Sequence, residues 1–581
     1  MPFFEPDEGR NAEVAREMLV THRWLTPHYE GLPYLDKPSL YFWFVAGSFE
    51  AFGLNEAAGR LPSALAALGV LILAWWLARD MFGAPTALRA GLALVTAPLM
   101  IAFARIVIFD MPLTFFVTLA MVCYWKLGTS GVRPRALEAL MWSALGLATF
   151  MKGPVGFIVP LLSIVVYEIA RGRFRELRKL RWVWGVPLML AFVLPWFIAV
   201  SLRHPDFPHY ALWTESLERF ATSHADRGGA FYYYVPVYFA AFFPWSFFLL
   251  YAGFNRLRSW RSLRDERNAA ALYLLAWAGT IFVFFSISRS KLPGYFLPAL
   301  VPLSLLMGLV WRRRPDDPAT RAPDWLTAGF ATLMLLGLGA ILLAELAHYG
   351  VLPQRWEAKL PPDVAALIGP ALIVTGVILT ALGWLGRDFA ARARQKAPSR
   401  AAFSILALTV PLIAVRWAPL LVRDAADHSS RRLARTILES PERNLPIYGY
   451  FYFRTSLPFY LRRKVAVVTG SGVELTSNYI SDRYGEFLRE ERGLTPRSGS
   501  HSAARPSRAF LKKVGEILIS PREWRSRIGL SPMLMLVRND QIALLTAAAG
   551  EMQPLWSAWD YSVWEIPARS KRQSASRPGP G

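Results

Sequence analysis

Long apolar runs, beginning near residue 60 and ending near residue 421, constrain this chain more than any other feature. Each has roughly 17 to 25 mainly apolar residues, the length at which an α-helix crosses the hydrocarbon core of a bilayer. The 54% hydrophobic content agrees with a membrane protein. We identify twelve runs, at residues 60–80, 85–105, 111–128, 136–151, 153–170, 181–202, 232–253, 269–288, 291–311, 325–347, 365–386 and 400–421.

The connections between these runs predict the orientation of the chain. The formal net charge of +23 comes largely from arginines and lysines in four connections, at residues 171–181, 256–267, 312–314 and 387–400. These connections are expected to be cytoplasmic, because short basic loops remain inside. Nucleic-acid binding is not indicated, since no basic helix face or recognised module is present. The outer face then receives residues 105–112, 203–231, 288–296 and everything after 421.

Hydropathy divides the chain into four parts. Residues 1–59 form an external first loop with juxtamembrane helices, 60–421 a transmembrane domain of twelve helices, 422–566 an α/β domain outside the membrane and 567–581 a disordered tail. The expected fold class is therefore an all-α polytopic membrane protein with a small C-terminal α/β extracytoplasmic domain. Because the chain begins in an external loop, we expect either a further transmembrane helix encoded upstream of Met1 or a natural truncation that removed it.

Short segments at both ends give more local predictions. The segment SLYFWFVAGSFEAFG at 39–53 is apolar but short and contains Glu50, so we expect a helix that lies along the outer interface. After Val422, LPIYGYF, VAVVTG and MLMLVRN have the apolar and β-branched content of strands, and ISDRYGEFLREER is typical of a helix.

Several acidic residues fall on the predicted outer face. Asp7, in EPDEGR, precedes a helical pattern, so it is a candidate for chemistry or a helix cap. Asp110 lies at the outer edge of two apolar runs, where an ionisable group usually faces a cavity, although Pro112 also makes it a helix-start signal. Asp36 precedes Lys37 in YLDKPS, and His224 on the same face would complete, with Asp7, Asp36 and Asp110, an oxygen and nitrogen set that could hold a divalent metal ion.

Basic and aromatic residues on the same face complete the candidate site. Lys37 and Arg227 could bind phosphate, although an interfacial lysine is more often a membrane anchor. Lys291 and Tyr295 lie in SRSKLPGYF, and Lys152 in FMKGP could serve as an anchor only. Together, cations and carboxylates suit a phosphate-linked lipid substrate. No glycine-rich phosphate loop of the GxxxxGK[ST] type is present, so we expect no nucleotide cofactor.

Two other classes of membrane protein could carry the same charged residues. A transporter or flippase of a phosphate-linked lipid would bind such a substrate without reacting with it, and a structural membrane subunit would do neither. A transporter is expected to have interrupted helices at mid-membrane, whereas these charges gather at one external face. The enzyme interpretation is therefore favoured. The sole cysteine, Cys123, lies in an apolar run, so the chain forms no internal disulfide.

Seven short motifs carry a resemblance to a known family. In chain order they are EPDEGRNAEVAREML, YLDKPSLYFW, GRLPSALAALG, FDMP, MKGP, HADRGGAFYYY and SKLPGYFLPALVP, which together cover about residues 5–310. Their order resembles that of the bacterial aminoarabinose lipid A transferases and related glycosyltransferases of the protein mannosyltransferase superfamily, which have the GT-C fold. The resemblance implies an enzyme of the bacterial inner membrane. It would move a sugar from a polyprenyl phosphate carrier to a lipid or protein acceptor, at a site facing the periplasm.

The resemblance also implies roles for single residues. Asp7 and Asp110 match the two catalytic acids, and the donor phosphate would be bound by Lys37, Arg227, Arg10 and Tyr295. Asp36 and His224 fall at the positions associated with a metal ion, although the family more usually has Glu where this chain has Asp36. Asn11 departs from the aromatic residue expected after the arginine.

Overall fold

The computed structural model describes residues 1–129, 134–218, 229–257, 268–311, 324–351, 362–392, 400–491 and 508–568. These residues form two compact units. The first unit combines residues 1–59, 198–213 and 422–581, and the second combines 60–197 and 214–421. The first unit therefore contains both the N-terminal loop and the C-terminal domain, which were predicted as separate parts from hydropathy.

Helices occupy all twelve apolar runs, and the predicted fold class is confirmed. Of the helices in the described ranges, eight are each long and apolar enough to cross a membrane, and one bent pair would make a ninth. The number of crossings stays a prediction. The α-helices that lie in the twelve runs are α3 Glu56–Phe82, α4 Ala84–Val95, α5 Pro98–Phe103, α6 Asp110–Thr129, α7 Arg135–Lys152, α8 Val155–Ala170, α9 Trp182–Arg203, α10 Tyr234–Ala241, α11 Trp245–Leu257, α12 Ala269–Ile287, α13 Leu300–Val310, α14 Asp324–His348, α15 Pro362–Arg392 and α16 Arg400–Asp427.

Two runs that were predicted as continuous helices are broken. The run at 232–253 is bent by 114° between α10 and α11. Pro244 lies at this bend, and a proline has no N–H to continue the helical hydrogen bonds. The run at 85–105 breaks between α4 and α5, where Ala97 is extended at φ −69° and ψ 126° directly before Pro98. A residue before proline avoids the helical region, so the sequence itself explains both breaks.

Close helix packing in the second unit depends on small residues. Helices α14 and α15 pack antiparallel, and a Cβ atom added at Gly337 would lie 2.6 Å from the carbonyl oxygen of Gly376. A Cβ at Gly376 would lie at the same distance from the carbonyl of Gly337. Side chains at these positions would force the backbones apart, which is why small residues recur at interfaces between membrane helices.

The first unit is built on a six-stranded mixed sheet. Its strands, in spatial order, are β5 Leu518–Ile519, β4 Ala466–Val468, β3 Ile447–Tyr450, β6 Met533–Arg538, β8 Tyr561–Ile566 and β7 Gln553–Ser557. The first four are parallel, and β8 is antiparallel to both of its neighbours. Residues 533–537 of β6 are all buried, as expected for a central strand. The strands predicted in LPIYGYF, VAVVTG and MLMLVRN are therefore confirmed.

Two N-terminal helices complete the part of the first unit that carries candidate residues. Helix α1 spans Asp7–Thr21 and α2 spans Leu40–Phe52, and a short hairpin of β1 His28–Tyr29 and β2 Leu32–Pro33 lies between them. Helix α2 buries Tyr41, Val45 and Phe49 on one face, whereas Phe44 and Phe52 are 41% and 64% exposed. The smaller C-terminal helices are α17 Arg431–Glu439, α18 Leu457–Leu461, α19 Asn478–Glu491, α20 Arg508–Ile517, α21 Pro521–Arg527 and α22 Ile542–Ala549.

Candidate active site

The predicted site residues fall into three groups. The first unit contains Asp7, Arg10, Asp36 and Lys37, and the second contains Asp110 and Tyr295. His224 and Arg227 lie outside the described residues. The possible role of each residue is therefore inferred from its contacts within its own unit.

Asp7 forms an ion pair with Arg10 in the first turn of α1. The Asp7 side chain is 44% exposed, whereas that of Arg10 is only 6% exposed. Arg10 also donates through Nη1 to the carbonyl and hydroxyl oxygens of Thr476, both at 2.8 Å, and lies 5.8 Å from the ring of Tyr34. Burial would lower the pKa of Arg10, but Tyr34 and Asp7 raise it, so the guanidinium remains charged. Arg10 thus holds an accessible carboxylate in place.

Glu5 anchors the segment that precedes Asp7, a role that the sequence analysis missed. Its Oε2 accepts hydrogen bonds from the amide of Thr455, at 2.7 Å, and from the Thr455 hydroxyl. Its Oε1 accepts from the amide of Ser456, at 2.9 Å, and from the hydroxyls of Ser456 and Ser430. Gly9 lies against the same residues, since a Cβ there would be 2.6 Å from the Ser456 Cβ. These contacts fix the start of α1 on residues 455–456.

Asp36 lies among hydrogen-bond donors. Its Oδ1 accepts from the Tyr210 hydroxyl and, at 2.9 Å, from the amide of Tyr479. Tyr479 in turn donates at 2.9 Å to Asp206, which also pairs with Arg483 at 2.6 Å. These partners join three distant parts of the chain, so the observed contacts give Asp36 a structural role.

The described residues around Asp36 do not form a metal site by themselves. Within the described ranges, no group of three or more histidine, cysteine, aspartate or glutamate side chains could hold a metal. A metal site that includes His224 stays a prediction, because His224 lies outside the described part.

Lys37 is half-buried and bends back on its own backbone. Its Nζ donates at 2.8 Å to the carbonyl oxygen of Asp36. A lysine ammonium is a compact positive charge with three donors, a group that commonly binds phosphate. The predicted role of Lys37 in phosphate binding therefore stays a prediction.

Asp110 and Tyr295 are brought together by Lys152, which the sequence analysis treated as an anchor. Lys152 ends α7 and forms an ion pair with Asp110, the first residue of α6. The two side chains are 10% and 5% exposed. The Lys152 ammonium also lies 4.5 Å from the centre of the Tyr295 ring. Gly294 packs closely beside this pair, since a Cβ there would lie 2.7 Å from the Phe103 ring and 3.2 Å from Asp110 Oδ1.

Lys291 has a local structural role in the same unit. Its Nζ donates to the carbonyl oxygens of Ser286 and Ser288, at 2.8 and 2.6 Å, and of Phe285 at 3.2 Å. These carbonyls lie at the C-terminal end of α12, where a cation is favourable. The MKGP motif could have identified Lys152 from the sequence. For Glu5, the only sequence signal was its position in the EPDEGR motif.

Comparisons with known proteins agree with the motif order. A model of the dolichyl-phosphate-mannose-protein mannosyltransferase family matches residues 6–211. Two curated relatives are each named undecaprenyl phosphate-alpha-4-amino-4-deoxy-L-arabinose arabinosyl transferase. That of Erwinia tasmaniensis is 34% identical over 52% of this chain and 54% of its own length. The relative from Aeromonas salmonicida is 32% identical over 59% of this chain and 63% of its own length. The chain thus matches between half and two thirds of the length of these relatives.

A solved structure matches the whole chain. ArnT from Cupriavidus metallidurans, bound to undecaprenyl phosphate, superposes with a TM-score of 0.77 at 26% identity and covers 100% of this chain and 96% of that one. The same protein in the apo state gives a TM-score of 0.76. Motif order, sequence similarity and fold together confirm the resemblance: this chain is similar to the aminoarabinose transferases and has the GT-C fold.

Proposed function

We propose that this protein is a glycosyltransferase that moves a sugar from a polyprenyl phosphate carrier to a lipid acceptor at the periplasmic face of the bacterial inner membrane. The whole-chain likeness to a protein bound to undecaprenyl phosphate is the observation that carries the proposal. The relatives act on a 4-amino-4-deoxy-L-arabinose carried by undecaprenyl phosphate, so an aminopentose is the proposed sugar. A lipid A-like acceptor is proposed ahead of a protein acceptor.

The proposed reaction is a direct displacement. An acceptor oxygen attacks the anomeric carbon, the bond from that carbon to the phosphate oxygen breaks, and the carrier leaves as polyprenyl phosphate. Lys37 and Arg227 neutralise the charge that develops on the departing phosphate, which is usually the largest electrostatic contribution at such a site. Where the acceptor is a hydroxyl, its proton passes to Asp7, whereas an ionised phosphate acceptor needs no base.

The surroundings of the two acids support different assignments. Asp7 is the more accessible carboxylate and is held by a buried arginine, so a substrate can reach it without breaking its support. Asp110 is buried against Lys152, and removing one partner of a buried ion pair commonly costs about 3–5 kcal/mol. We therefore assign Asp7 to the acceptor, and Asp110 to the positioning of Lys152 and Tyr295.

The transporter or flippase remains the alternative from another class. It would use the same cations to bind a phosphate-linked lipid, but it would leave the chemical structure of that lipid unchanged. The curated relatives are named as transferases, which supports the enzyme. The two functions differ in their products, so a chemical assay can separate them.

Lipid mass spectrometry of cells with and without the protein tests the proposal. We expect the envelope lipids of producing cells to contain an additional species heavier by one aminopentose residue. Asp110→Asn should reduce its amount by tenfold or more, because it removes the charge that pairs with Lys152. Asp80→Asn is the matched control, since Asp80 also pairs with a lysine, Lys126, but is 31% exposed. Identical lipid profiles with and without the folded protein would rule out the transferase.

A further inference from the structure

A second basic site lies in the first unit, and none of the residues that line it is assigned to the transfer. It is an open cavity of about 480 Å³, within the range of ligand-binding clefts. The cavity joins the loop after α1 to the end of α9, which are separated by more than 170 residues in the sequence. Its lining residues are His22, Arg23, Trp24, Leu25, Thr26, His28, Arg203 and His204.

The cavity has a positive field that no lining carboxylate balances. Two arginines and three histidines contribute to its wall, and the residues that line it include no aspartate or glutamate. Asp206 acts on His204 from nearby, but this carboxylate is already paired with Arg483 at 2.6 Å. An anion in the cavity would therefore meet two guanidinium groups and no opposing charge.

The protonation of His28 agrees with that field. Burial has the largest effect on His28 and, with the charges of Arg23, Lys513 and His204, lowers its pKa to about 4, although the hydrogen bond to Thr26 opposes this shift. Burial also lowers the pKa of Lys513, and the neighbouring Lys464 and Arg23 lower it further, whereas Glu17 and Glu516 raise it. Cations that depress one another's protonation in this way lose stability in the free protein, and a bound anion would relieve the repulsion.

His28 also holds Arg23 in place. Its Nδ1 lies 2.8 Å from the carbonyl oxygen of Thr26, so this nitrogen carries the proton of the neutral ring. The opposite nitrogen, Nε2, then accepts from Nη1 of Arg23 at 3.4 Å. The guanidinium has five N–H donors. One contact to the ring orients the group, and its other N–H donors can bind an oxyanion.

The position of the cavity indicates the source of the anion. Helix α9 is an apolar span that ends at Arg203, and two residues of its last turns, Ile198 and Leu202, are 52% and 80% exposed. Trp24, which is 37% exposed, lies in the cavity wall. Exposed aliphatic side chains next to tryptophan and arginine are typical of the level at which lipid head groups meet hydrocarbon.

We propose that this cavity binds the phosphate group of a membrane lipid. The phosphate would lie between the guanidinium groups of Arg23 and Arg203, and the acyl chains would extend along Ile198 and Leu202. Phosphate monoesters carry nearly two negative charges at neutral pH, which matches the two arginines. The proposal concerns binding only, and it does not rest on the proposed transferase.

Titration calorimetry on the full-length protein in neutral detergent tests the site with three probes. Dihexanoyl phosphatidic acid supplies a lipid phosphate, inorganic phosphate supplies the free anion, and dihexanoyl phosphatidylcholine supplies the chains with a zwitterionic head group. We expect the phosphatidic acid to bind at least tenfold more tightly than either of the others. Equal affinity for inorganic phosphate would assign the cavity to the free anion, and equal affinity for phosphatidylcholine would remove phosphate recognition.

Variants connect the binding to the cavity. Arg23→Gln and Arg203→Gln should each weaken phosphatidic acid binding at least tenfold, and Arg23→Lys should give an intermediate value because it keeps the charge but loses the planar fork. Arg525→Gln is the control, since Arg525 is an exposed arginine of the same unit that does not line the cavity. Equal losses in the control and cavity variants, or no loss in either, would overturn the proposal. Because Arg23 and Arg203 lie on different segments, a loss of binding in both variants would not be explained by local misfolding of one segment.

Discussion

Replacing Glu5 by glutamine is the sharpest test of how the first unit holds the segment that contains the candidate residue Asp7. The side chain of Glu5 is only 14% exposed, and its two oxygens accept from the amides of Thr455 and Ser456 and from three hydroxyls. Glutamine keeps one acceptor oxygen but places an NH₂ group against the other set of donors. A hydroxyl can turn and accept from that NH₂, whereas a backbone N–H cannot.

The expected cost follows from the contacts that cannot be remade. At least one backbone amide loses its acceptor, and an unsatisfied buried donor costs about 1–3 kcal/mol. The remaining bonds lose their charge assistance, and a bond to a charged group is worth about 1.5–3 kcal/mol. Because these terms overlap, we expect Glu5→Gln to lower the local opening free energy of this contact by about 3 kcal/mol. That value corresponds to amide exchange roughly 10²-fold faster, since about 1.4 kcal/mol is a factor of ten.

Hydrogen exchange read by mass spectrometry on peptides that contain Thr455 and Ser456 gives the measurement. Glu523→Gln is the control, because Glu523 pairs with Arg527 on the surface of the same unit and is 35% exposed. A surface pair contributes little, so we expect less than a threefold change there. Sugar transfer should fall together with the protection, because Asp7 lies two residues after Glu5. Unchanged exchange at 455–456 in a folded Glu5→Gln protein would refute the reasoning.

Three further predictions concern the chemistry and the pH dependence. Asp7→Asn should lower transfer to a hydroxyl acceptor by roughly 10² or more while leaving carrier binding intact, and Asp388→Asn, from an Asp–Arg pair on α15, should change neither. Lys37→Ala and Arg227→Ala should weaken binding of undecaprenyl phosphate as well as turnover, and unchanged binding constants would remove both from the phosphate site. Burial raises the pKa of Glu13 from 4.5 to about 7, so the folded protein binds the extra proton between these values and should lose stability as pH rises from about 4.5 to 7. Glu13→Gln should reduce that loss by up to about 3 kcal/mol, and an unchanged shift in melting temperature between pH 5 and pH 8 would contradict it.

The apolar pattern predicted the helices well because each run is a local signal. The start of α6 at Asp110 follows from the Asp–x–Pro sequence, and the breaks at Pro98 and Pro244 follow from the missing N–H of proline. The strands β5, β7 and β8 were not predicted. Two of them contain no more than five residues, and such segments carry little periodic signal.

Contacts between distant residues could not be predicted in the same way. Glu5 reaches Thr455 across 450 positions, and Asp36 reaches Tyr479 across 443. Nothing in either local sequence identifies the partner, because the pairing depends on the fold of the first unit. Lys152 was predicted to be only a membrane anchor for the same reason, since its partner Asp110 lies 42 residues away in the sequence.

The two acid–base pairs contain similar groups, and their solvation decides what each can do. The pair of Asp7 and Arg10 has one accessible member, so water screens the attraction and the carboxylate can turn toward a substrate at small cost. In the pair of Asp110 and Lys152 both members are buried, so any rearrangement must remove a charge from its partner in a medium of low dielectric constant. A carboxylate that accepts a proton during turnover has to change its charge, and such a change is far cheaper at the exposed position. In the proposed mechanism the buried pair would therefore remain fixed, with the Lys152 ammonium held against Tyr295, and the proton would pass to Asp7.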